Sequence, residues 1–195
     1  MEPHIVFVDS ETRKSPLALH ENKEIAWELA RQGKAGLSAI VVLDGRDNWP
    51  YLYDDSCIQE VVAHLESADV VVGFSSSEFD IPAIEGILGR KVAIKDHIDI
   101  YGLVREALGE RAQQGRAGEY KLGAITKRTL GRGKLENGSY APDMAFKGEW
   151  ARLFKYCMDD TRLTRDLFRY IQSEGGIISI NRTFLPIKLP EYLRG

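Results

Sequence analysis

Cysteine is scarce in this sequence, and long apolar runs are absent from it. Two cysteines, Cys57 and Cys157, in 195 residues cannot build a disulfide framework, so a reducing compartment is expected. No stretch of about 18 consecutive apolar residues could span a bilayer, and no basic leader precedes the first apolar segment. We therefore expect a soluble, cytoplasmic protein without a membrane partner.

Histidine is also rare, and neither sign of charge dominates. The four histidines, at positions 4, 20, 64 and 97, lack the spacing of metal ligands, so structural or surface roles are expected for them. The formal net charge of -3 argues against a protein built mainly to coat nucleic acid. With 44% hydrophobic residues, the chain is long enough for one domain with a normal core.

The pattern of apolar segments predicts an α/β fold. The segment from His4 to Asp9 is apolar on both faces, as in a central strand, and LSAIVVLDG and WPYLYDD then predict a hairpin. ADVVVGF predicts a second buried strand, and helices are predicted at 18 to 33 and at about 148 to 173. The order strand, hairpin, helix, strand, helix, strand, helix, with a long final helix, indicates a mixed sheet flanked by helices.

The last long helix carries an aspartate on its apolar stripe. In the segment YCMDDTRLTRDLF, Asp160 lies at the centre of the side that also contains Leu153, Tyr156, Leu163 and Leu167. A carboxylate directed at a core costs several kcal/mol unless it is protonated, hydrogen-bonded or balanced by positive charge. The pattern therefore predicts a partner for Asp160 in the interior.

Three further carboxylates are expected at strand ends. Asp9 and Glu11 stand two residues apart at the end of the first strand, so the period-two geometry turns both side chains to the same face. Asp80 follows the second buried strand, and strand ends are where sites form in α/β sheets. If these three converge with Asp160, their repulsion would raise their pKa values unless divalent cations occupy the centre. Oxygen ligands in this number favour Mg²⁺ or Mn²⁺.

Each of these acidic residues also has an ordinary structural interpretation. Asp80 could cap its helix, and Asp9 and Glu11 could be solvated at the strand end. Asp159, about 100° around the helix from the interior aspartate, is expected at the edge of the stripe. Asp99 is expected to be a cap or turn residue rather than a ligand.

Three segments occur in the order and character of the motifs of a known superfamily. IVFVDSET, VVGFSSSEFDIPAI and YCMDDTRLTRDLF resemble the three motifs of the DEDD superfamily of 3′-to-5′ exonucleases, which have a ribonuclease-H-like fold. Tyr156, with Asp160 four residues on, resembles the tyrosine branch (DEDDy), as in the proofreading domains of family B DNA polymerases. The histidine branch has a His with five-residue spacing instead, and no His lies in this helix. The resemblance covers about residues 5 to 171.

The resemblance implies an active site and a substrate. Asp9, Glu11, Asp80 and Asp160 would be the ligands of two Mg²⁺ or Mn²⁺ ions, which activate a water and stabilise the leaving 3′ oxygen. Tyr156 would orient the attacking water rather than fully deprotonate it, because the pKa of free tyrosine is about 10. The implied substrate is nucleic acid with a free 3′ end, with single-stranded DNA favoured, and the product is a nucleoside 5′-monophosphate.

Other positions match or depart from the family pattern. Thr12 resembles the position that touches the terminal nucleotide, whereas Ser75 stands where the second motif commonly carries Asn, and its shorter side chain would weaken a contact with the strand. The predicted helix at 18 to 33 lengthens the link between the first two strands and would wall one side of the site. The resemblance implies an exonuclease domain at 1 to 174 and an extension at 175 to 195, acting alone or as a subunit supplied to a helicase or polymerase partner.

A basic stretch precedes the last helix. Residues 111 to 134 contain seven lysines and arginines against one acidic residue, Glu119, a local balance of +6 in a chain of -3. The stretch is also rich in glycine, so it is either a solvated loop or a surface that contacts phosphates upstream of the scissile bond. On the second interpretation, Lys127, Arg128 and Lys134 would bind the substrate strand.

Two other functions remain open from the sequence. One is a catalytically silent nucleic-acid-binding or protein-binding module on the same fold, although the retention of four carboxylates and Tyr156 argues against it. The other is a phosphatase or nucleotide hydrolase with similar metal chemistry. The sequence does not decide between DNA and RNA, because that choice depends on contacts with one 2′ hydroxyl.

Overall fold

Five of the strands form a mixed sheet, in a computed structural model that describes residues 2–109, 119–134 and 140–194. The order across the sheet is β3-β2-β1-β4-β5. β1 pairs in parallel with β4, and β4 pairs in parallel with β5, whereas β1 with β2 and β2 with β3 are antiparallel. The bounds are β1 Ile5–Thr12, β2 Leu37–Asp44, β3 Pro50–Tyr53, β4 Val70–Gly73 and β5 His97–Asp99. The predicted hairpin and the predicted mixed sheet are both confirmed.

Helices cover both faces of this sheet. Phe7, on one face of β1, packs edge-on against Phe168 with ring centroids 5.8 Å apart. Val6 and Val8, on the other face, pack in a second core that includes Val61 and Ile84. The predicted α/β fold is therefore confirmed, and it is consistent with a ribonuclease-H-like arrangement. The helices are α1 Lys23–Arg31, α2 Ile58–Ser67, α3 Asp80–Leu88, α4 Ile100–Leu108, α5 Leu122–Leu130, α6 Ala141–Phe146 and α7 Trp150–Glu174.

The helix between the first two strands is shorter than predicted. It was expected at 18 to 33, but α1 begins at Lys23, after a separate 3₁₀ turn at Pro16–Ala18. The reason is local, because the Asn22 side chain accepts hydrogen bonds from the backbone N–H groups of Glu24 and Ile25, which starts the helix there. At its other end Gly33, with a φ of 76°, lies so close to α3 that a Cβ would stand 2.7 Å from a side-chain carbon of Ile87. Glycine therefore permits the tight packing of α1 on α3.

The longest helix, α7, ends at Gly175, and the chain then forms a short hairpin. Gly175 adopts a left-handed conformation with a φ of 78°, which glycine tolerates without strain. Strands β6 Gly176–Ile178 and β7 Phe184–Pro186 pair antiparallel, and a 3₁₀ turn follows at Glu191–Leu193. Ile177 and Leu193 are buried in the same core as Phe7. The division at residue 174 into a nuclease domain and an extension stays a prediction.

Within the described parts of the chain, no helix has both the length and the apolar character needed to cross a bilayer.

Candidate active site

Strand β1 presents two carboxylates on one face. Asp9 and Glu11 alternate along the strand with the buried Ser10 and Thr12, as the period of two requires. The register to β2 shifts between Glu11 and Thr12. At this irregularity the Ser38 hydroxyl donates to the carbonyl oxygens of Glu11 and Thr12, at 3.2 and 3.1 Å. The end of β1 is thereby fixed to its neighbouring strand.

Helix α7 brings Asp160 to the same place. Asp160 is only 1% exposed, and one carboxylate oxygen from each of Asp9, Glu11 and Asp160 lies within 4.8 Å of the other two. Carboxylate oxygens at this spacing are a donor set that suits a hard divalent cation such as Mg²⁺ or Mn²⁺. Asp160 thus lies among like-charged carboxylates, and the interior partner predicted for it is a cation, Lys134.

Asp80 stands next to the group of three and is held by β1. It is the first residue of α3 and is 4% exposed. The interpretation of Asp80 as the N-cap residue does not hold, because Phe79 occupies that position and Asp80 is already the first helical residue. Instead, the Ser10 hydroxyl donates to its carboxylate at 2.5 Å. No sequence pattern indicates this role of Ser10, because Ser10 lies on the opposite face of β1 from Asp9.

The four carboxylates oppose one another electrostatically. Burial raises the pKa of Asp9 and Glu11 well above the ordinary values, and the charge of neighbouring carboxylates raises both further. Burial also raises the pKa of Asp80 to about 6 and that of Asp160 above its ordinary value. Positive charge is therefore favoured at this position.

Part of that positive charge comes from the protein itself. The Lys134 ammonium nitrogen lies 2.5 Å from Oδ2 of Asp160 and 3.2 Å from the hydroxyl oxygen of Tyr156. Burial alone would lower the pKa of Lys134, but the attraction of Asp160 and Asp9 outweighs it, so the pKa is raised and the side chain stays charged. Lys134 was predicted to contact substrate phosphates, whereas the structure places it against the acidic group.

Glycines position the segment that carries Lys134. A Cβ on Gly123, in α5, would lie 3.0 Å from Cγ of Lys134. A Cβ on Gly133 would lie 2.7 Å from the Gly123 carbonyl oxygen. The two glycines allow the segment to pack closely on α5, which directs Lys134 toward α7.

Tyr156 lies one turn from Asp160 on α7 and is 5% exposed. Burial and then the charges of Glu11 and Asp160 raise its pKa far above that of free tyrosine. The phenol therefore stays protonated at neutral pH, and its hydrogen bond to Asp160 is that of a donor. This geometry suits positioning of a water molecule better than proton abstraction.

Cys157 is a further residue at the site that sequence reasoning did not assign to it. It was interpreted as a small core residue, and it is buried beside Val41 and Leu153. Its Sγ atom also lies 3.4 Å from the carbonyl oxygen and 3.5 Å from the carboxylate of Asp9. Burial raises the pKa of this thiol, so it donates to Asp9 as a neutral group.

The turn before Asp80 is organised by Asp99. Ser75 adopts a left-handed conformation with a φ of 62°. Its backbone N–H donates to Asp99 at 2.8 Å, and that of Ser77 donates at 3.1 Å. The same carboxylate caps α4 through the N–H of Tyr101 at 3.0 Å. The cap and turn role predicted for Asp99 is thus confirmed, and the substrate contact of Ser75 stays a prediction.

The remaining substrate-binding candidates lie in different surroundings. Arg128 donates to the carbonyl oxygens of Glu119 and Ile178, at 2.6 and 3.4 Å, so its guanidinium is occupied by the backbone. Lys127 is exposed on α5, and Thr12 is buried at the end of β1. Their roles toward a substrate stay predictions. The first part of the basic stretch, residues 111 to 118, lies outside the described residues.

Comparison with known proteins supports the fold. No protein-family model matches the sequence, and no curated protein matches it. Among solved structures, the chain is similar to the family B DNA polymerase from the hyperthermophilic archaeon Pyrobaculum calidifontis, with a TM-score of 0.62 and 16% sequence identity. The similarity covers 88% of this chain but only 25% of that chain. At this identity it shows a shared fold with one part of the polymerase.

Proposed function

We propose that the protein is a metal-dependent 3′-to-5′ exonuclease of the DEDDy type. The observation that carries this proposal is the convergence of Asp9, Glu11 and Asp160 within 4.8 Å, with Tyr156 one helical turn from Asp160. The fold shared with part of a family B DNA polymerase supports it.

The acidic group would hold two Mg²⁺ or Mn²⁺ ions. Asp9, Glu11 and Asp160 supply the closest oxygen atoms, and Asp80 lies near enough for its charge to act on Asp9. When bound, such a pair of ions activates a water and stabilises the leaving oxygen of a phosphodiester. The protein contributes a buried set of oxygen ligands held by β1, α3 and α7.

Tyr156 and Lys134 would act on the reacting groups without holding metal. The Tyr156 hydroxyl, whose pKa is raised first by burial, can donate to an attacking water and fix its direction. The Lys134 ammonium is 31% exposed and can turn from Asp160 toward the non-bridging oxygens of a phosphate. Its charge would then stabilise the negative charge that develops on the phosphate.

The proposed substrate is a strand with a free 3′ end, with single-stranded DNA favoured and nucleoside 5′-monophosphates as products. A helicase or polymerase that supplies such ends is the proposed partner. The test is incubation of 5′-labelled single-stranded and duplex DNA and RNA with Mg²⁺ or Mn²⁺, with the product lengths resolved. We expect a ladder that shortens one nucleotide at a time from the 3′ end. A matched strand with a blocked 3′ terminus should stay intact. Equal cleavage of the blocked and the unblocked strand would refute exonuclease action.

One observation favours a second function, a catalytically silent nucleic-acid-binding module. The Lys134–Asp160 salt bridge already neutralises part of the acidic group, as a domain that has no need of metal would require. Calorimetric titration with Mn²⁺ separates the two functions. Binding of two ions, accompanied by strand cleavage, supports the nuclease, whereas strand binding without metal uptake supports the silent module.

A further inference from the structure

A cluster of arginines lies on the outer side of α7, away from its buried stripe. Arg162, Arg165 and Arg169 are spaced by three and four residues, so they share one side of the helix. Arg132, from the segment before Lys134, joins them through a salt bridge to Asp166. We call these four residues, Arg132, Arg162, Arg165 and Arg169, the arginine surface.

In the part of the chain that the structure describes, the carboxylates around the arginine surface are too few to neutralise it. Asp166 pairs with both Arg132 and Arg165. Asp159 lies 4.0 Å from Arg162 but is itself bonded to Lys155 at 2.5 Å. Within the described residues, Arg169 makes no ion pair. Among the described residues, four guanidinium groups thus face two carboxylates, and one of these two is shared with a lysine.

Two of the arginines bind the same neutral oxygen atom. Arg165 and Arg169 both donate to Oδ1 of Asn48, at 3.2 and 3.1 Å. A structural explanation is available, because these bonds and one from Arg169 to the Gly45 carbonyl oxygen hold the β2–β3 turn. One arginine would be enough for that purpose. Burial and the nearby charges of the other three arginines lower the pKa of Arg165, which reflects the repulsion within the cluster. An anion would relieve this repulsion far better than one amide oxygen.

We propose that the arginine surface binds the phosphates of a nucleic-acid strand upstream of its 3′ end. The proposal rests on the proposed function, which fixes the 3′ end at the carboxylate site. Arginine suits this role because its planar guanidinium donates two parallel hydrogen bonds to a phosphate. Of the cations predicted for the task, Arg128 is bonded to a backbone carbonyl, Lys134 lies at the carboxylate site against Asp160, and Lys127 is a single exposed charge on α5.

The position of the surface sets which part of the strand it reaches. Arg162 follows Asp160 by two residues but points to the other side of α7, and a helix with its side chains is about 10–12 Å across. Arg169 lies a further seven residues, or about 10 Å, along the axis. A strand must therefore leave the site and pass around α7 before it meets these arginines. Long strands would make the contact, and a dinucleotide could not.

The test is the double variant Arg162→Gln/Arg169→Gln, which spares the better buried Arg165. Binding to a labelled long single strand is measured over a range of salt concentrations, without divalent metal so that no cleavage occurs. Each lost phosphate contact lowers the log-log salt slope by about 0.7, so we expect a slope smaller by about 1.4 and weaker binding at low salt. In Mg²⁺, the ratio of long-strand to dinucleotide cleavage should fall.

Two matched variants complete the experiment. Lys34→Gln/Lys188→Gln removes the same charge from exposed positions elsewhere and should keep the wild-type slope. Arg162→Lys/Arg169→Lys keeps the charge and should keep most of the slope, which guards against a folding defect. Wild-type affinity and slope in Arg162→Gln/Arg169→Gln would overturn the proposal. An equal loss of affinity and slope in the control Lys34→Gln/Lys188→Gln would also overturn it.

The outcomes also separate this proposal from the proposed nuclease activity. A wild-type protein that binds long strands through these arginines without cleaving them would refute the nuclease and support the surface. A wild-type protein that binds no strand would refute both. If Arg162→Gln/Arg169→Gln binds strands like the wild type but loses binding to polyglutamate, the surface would be assigned to an acidic protein partner instead, and the proposal would be refuted.

Discussion

The ammonium nitrogen of Lys134 lies 2.5 Å from Oδ2 of Asp160, inside the group of carboxylates that would hold metal. The two residues come from different elements, since Lys134 follows α5 and Asp160 lies in the middle of α7. The salt bridge gives the protein an internal cation that partly compensates the repulsion among Asp9, Glu11 and Asp160. Lys134 and a bound metal ion would therefore compete for the same carboxylate oxygen atoms, and this competition can be measured.

Replacing Lys134 should destabilise the metal-free protein and strengthen its metal binding. Breaking a fully buried ion pair costs about 3–5 kcal/mol, and the exposure of Lys134 reduces the expected loss for Lys134→Met to about 1–3 kcal/mol. Mn²⁺ should bind the variant more tightly, because no ammonium group competes for Asp160. Chemical unfolding with and without Mn²⁺ checks both effects. Lys127→Met, exposed on α5, serves as the control, and equal metal-free stabilities for both variants would contradict the prediction.

Asp160 and its neighbour Asp159 offer a matched pair. Asp160→Asn should abolish strand cleavage and reduce metal affinity, because it removes a charged ligand from the group of three. Asp159→Asn should leave both nearly unchanged, since Asp159 pairs with Lys155 on the outside of the helix. Cleavage rates and calorimetric titrations of the two variants are compared after circular dichroism has verified their folds. Near-normal cleavage by Asp160→Asn would remove this residue from the active site.

Tyr156→Phe should separate catalysis from metal binding. The variant keeps the ring and its packing but loses the hydroxyl that would orient the attacking water, so we expect the cleavage rate to fall by about 10²-fold. Metal affinity should change little, because the carboxylates remain. Tyr170→Phe, on the same helix, is the control. An equal loss of metal affinity in Tyr156→Phe would give Tyr156 a structural role instead.

The sequence predicted three of the four acidic residues because each follows a regular period. Asp9 and Glu11 share a face through the period of two in β1, and Asp160 stands on a helical stripe whose other members are apolar. These rules place a side chain on a face of one element. They do not say which element will lie across from it.

Contacts between distant segments could not be predicted from these periods. The contact of Lys134 with Asp160 depends on how its segment packs against Gly123 in α5. Ser10 points away from Asp9 along β1, yet α3 crosses that face and presents Asp80 to it. The predicted start of α1 was a local error. The helix was placed from residue 18, in ALHENKEI, although Asn22 in this segment is a residue type that commonly caps a helix and does so here.

Ser75 should tolerate asparagine and reject valine. Its φ of 62° is left-handed, a region in which asparagine is enriched and a β-branched residue is strained by about 1–3 kcal/mol. Ser75→Asn should therefore unfold at a temperature close to that of the wild type, whereas Ser75→Val should unfold at a lower temperature. Scanning calorimetry of both variants tests this. The asparagine would also supply the side chain that the family pattern commonly carries here, so binding of single strands should tighten if Ser75 faces the substrate. Wild-type stability of Ser75→Val would show that the turn does not need its left-handed residue.

Asp44, at the end of β2, should make the stability depend on pH at the acidic end. It accepts hydrogen bonds from the backbone and side chain of Arg46, both at 2.9 Å, and lies 3.0 Å from Nε2 of His4. Burial would raise its pKa, but these hydrogen bonds outweigh burial and hold the pKa well below its usual range. A carboxyl whose pKa is lowered by folding stabilises the protein fully above the pKa of the unfolded chain, about 3.9, and loses that contribution as the pH falls further.

Asp44→Asn should therefore lower the free energy of unfolding by about 1–2 kcal/mol at pH 7, and the difference from the wild type should shrink as the pH drops below about 4. Urea unfolding of both proteins from pH 7 to the acidic limit of folding measures this difference, with Asp143→Asn, exposed on α6, as the control. A gap between wild type and Asp44→Asn that stays constant across this range would mean that the hydrogen bonds around Asp44 do not depend on its charge.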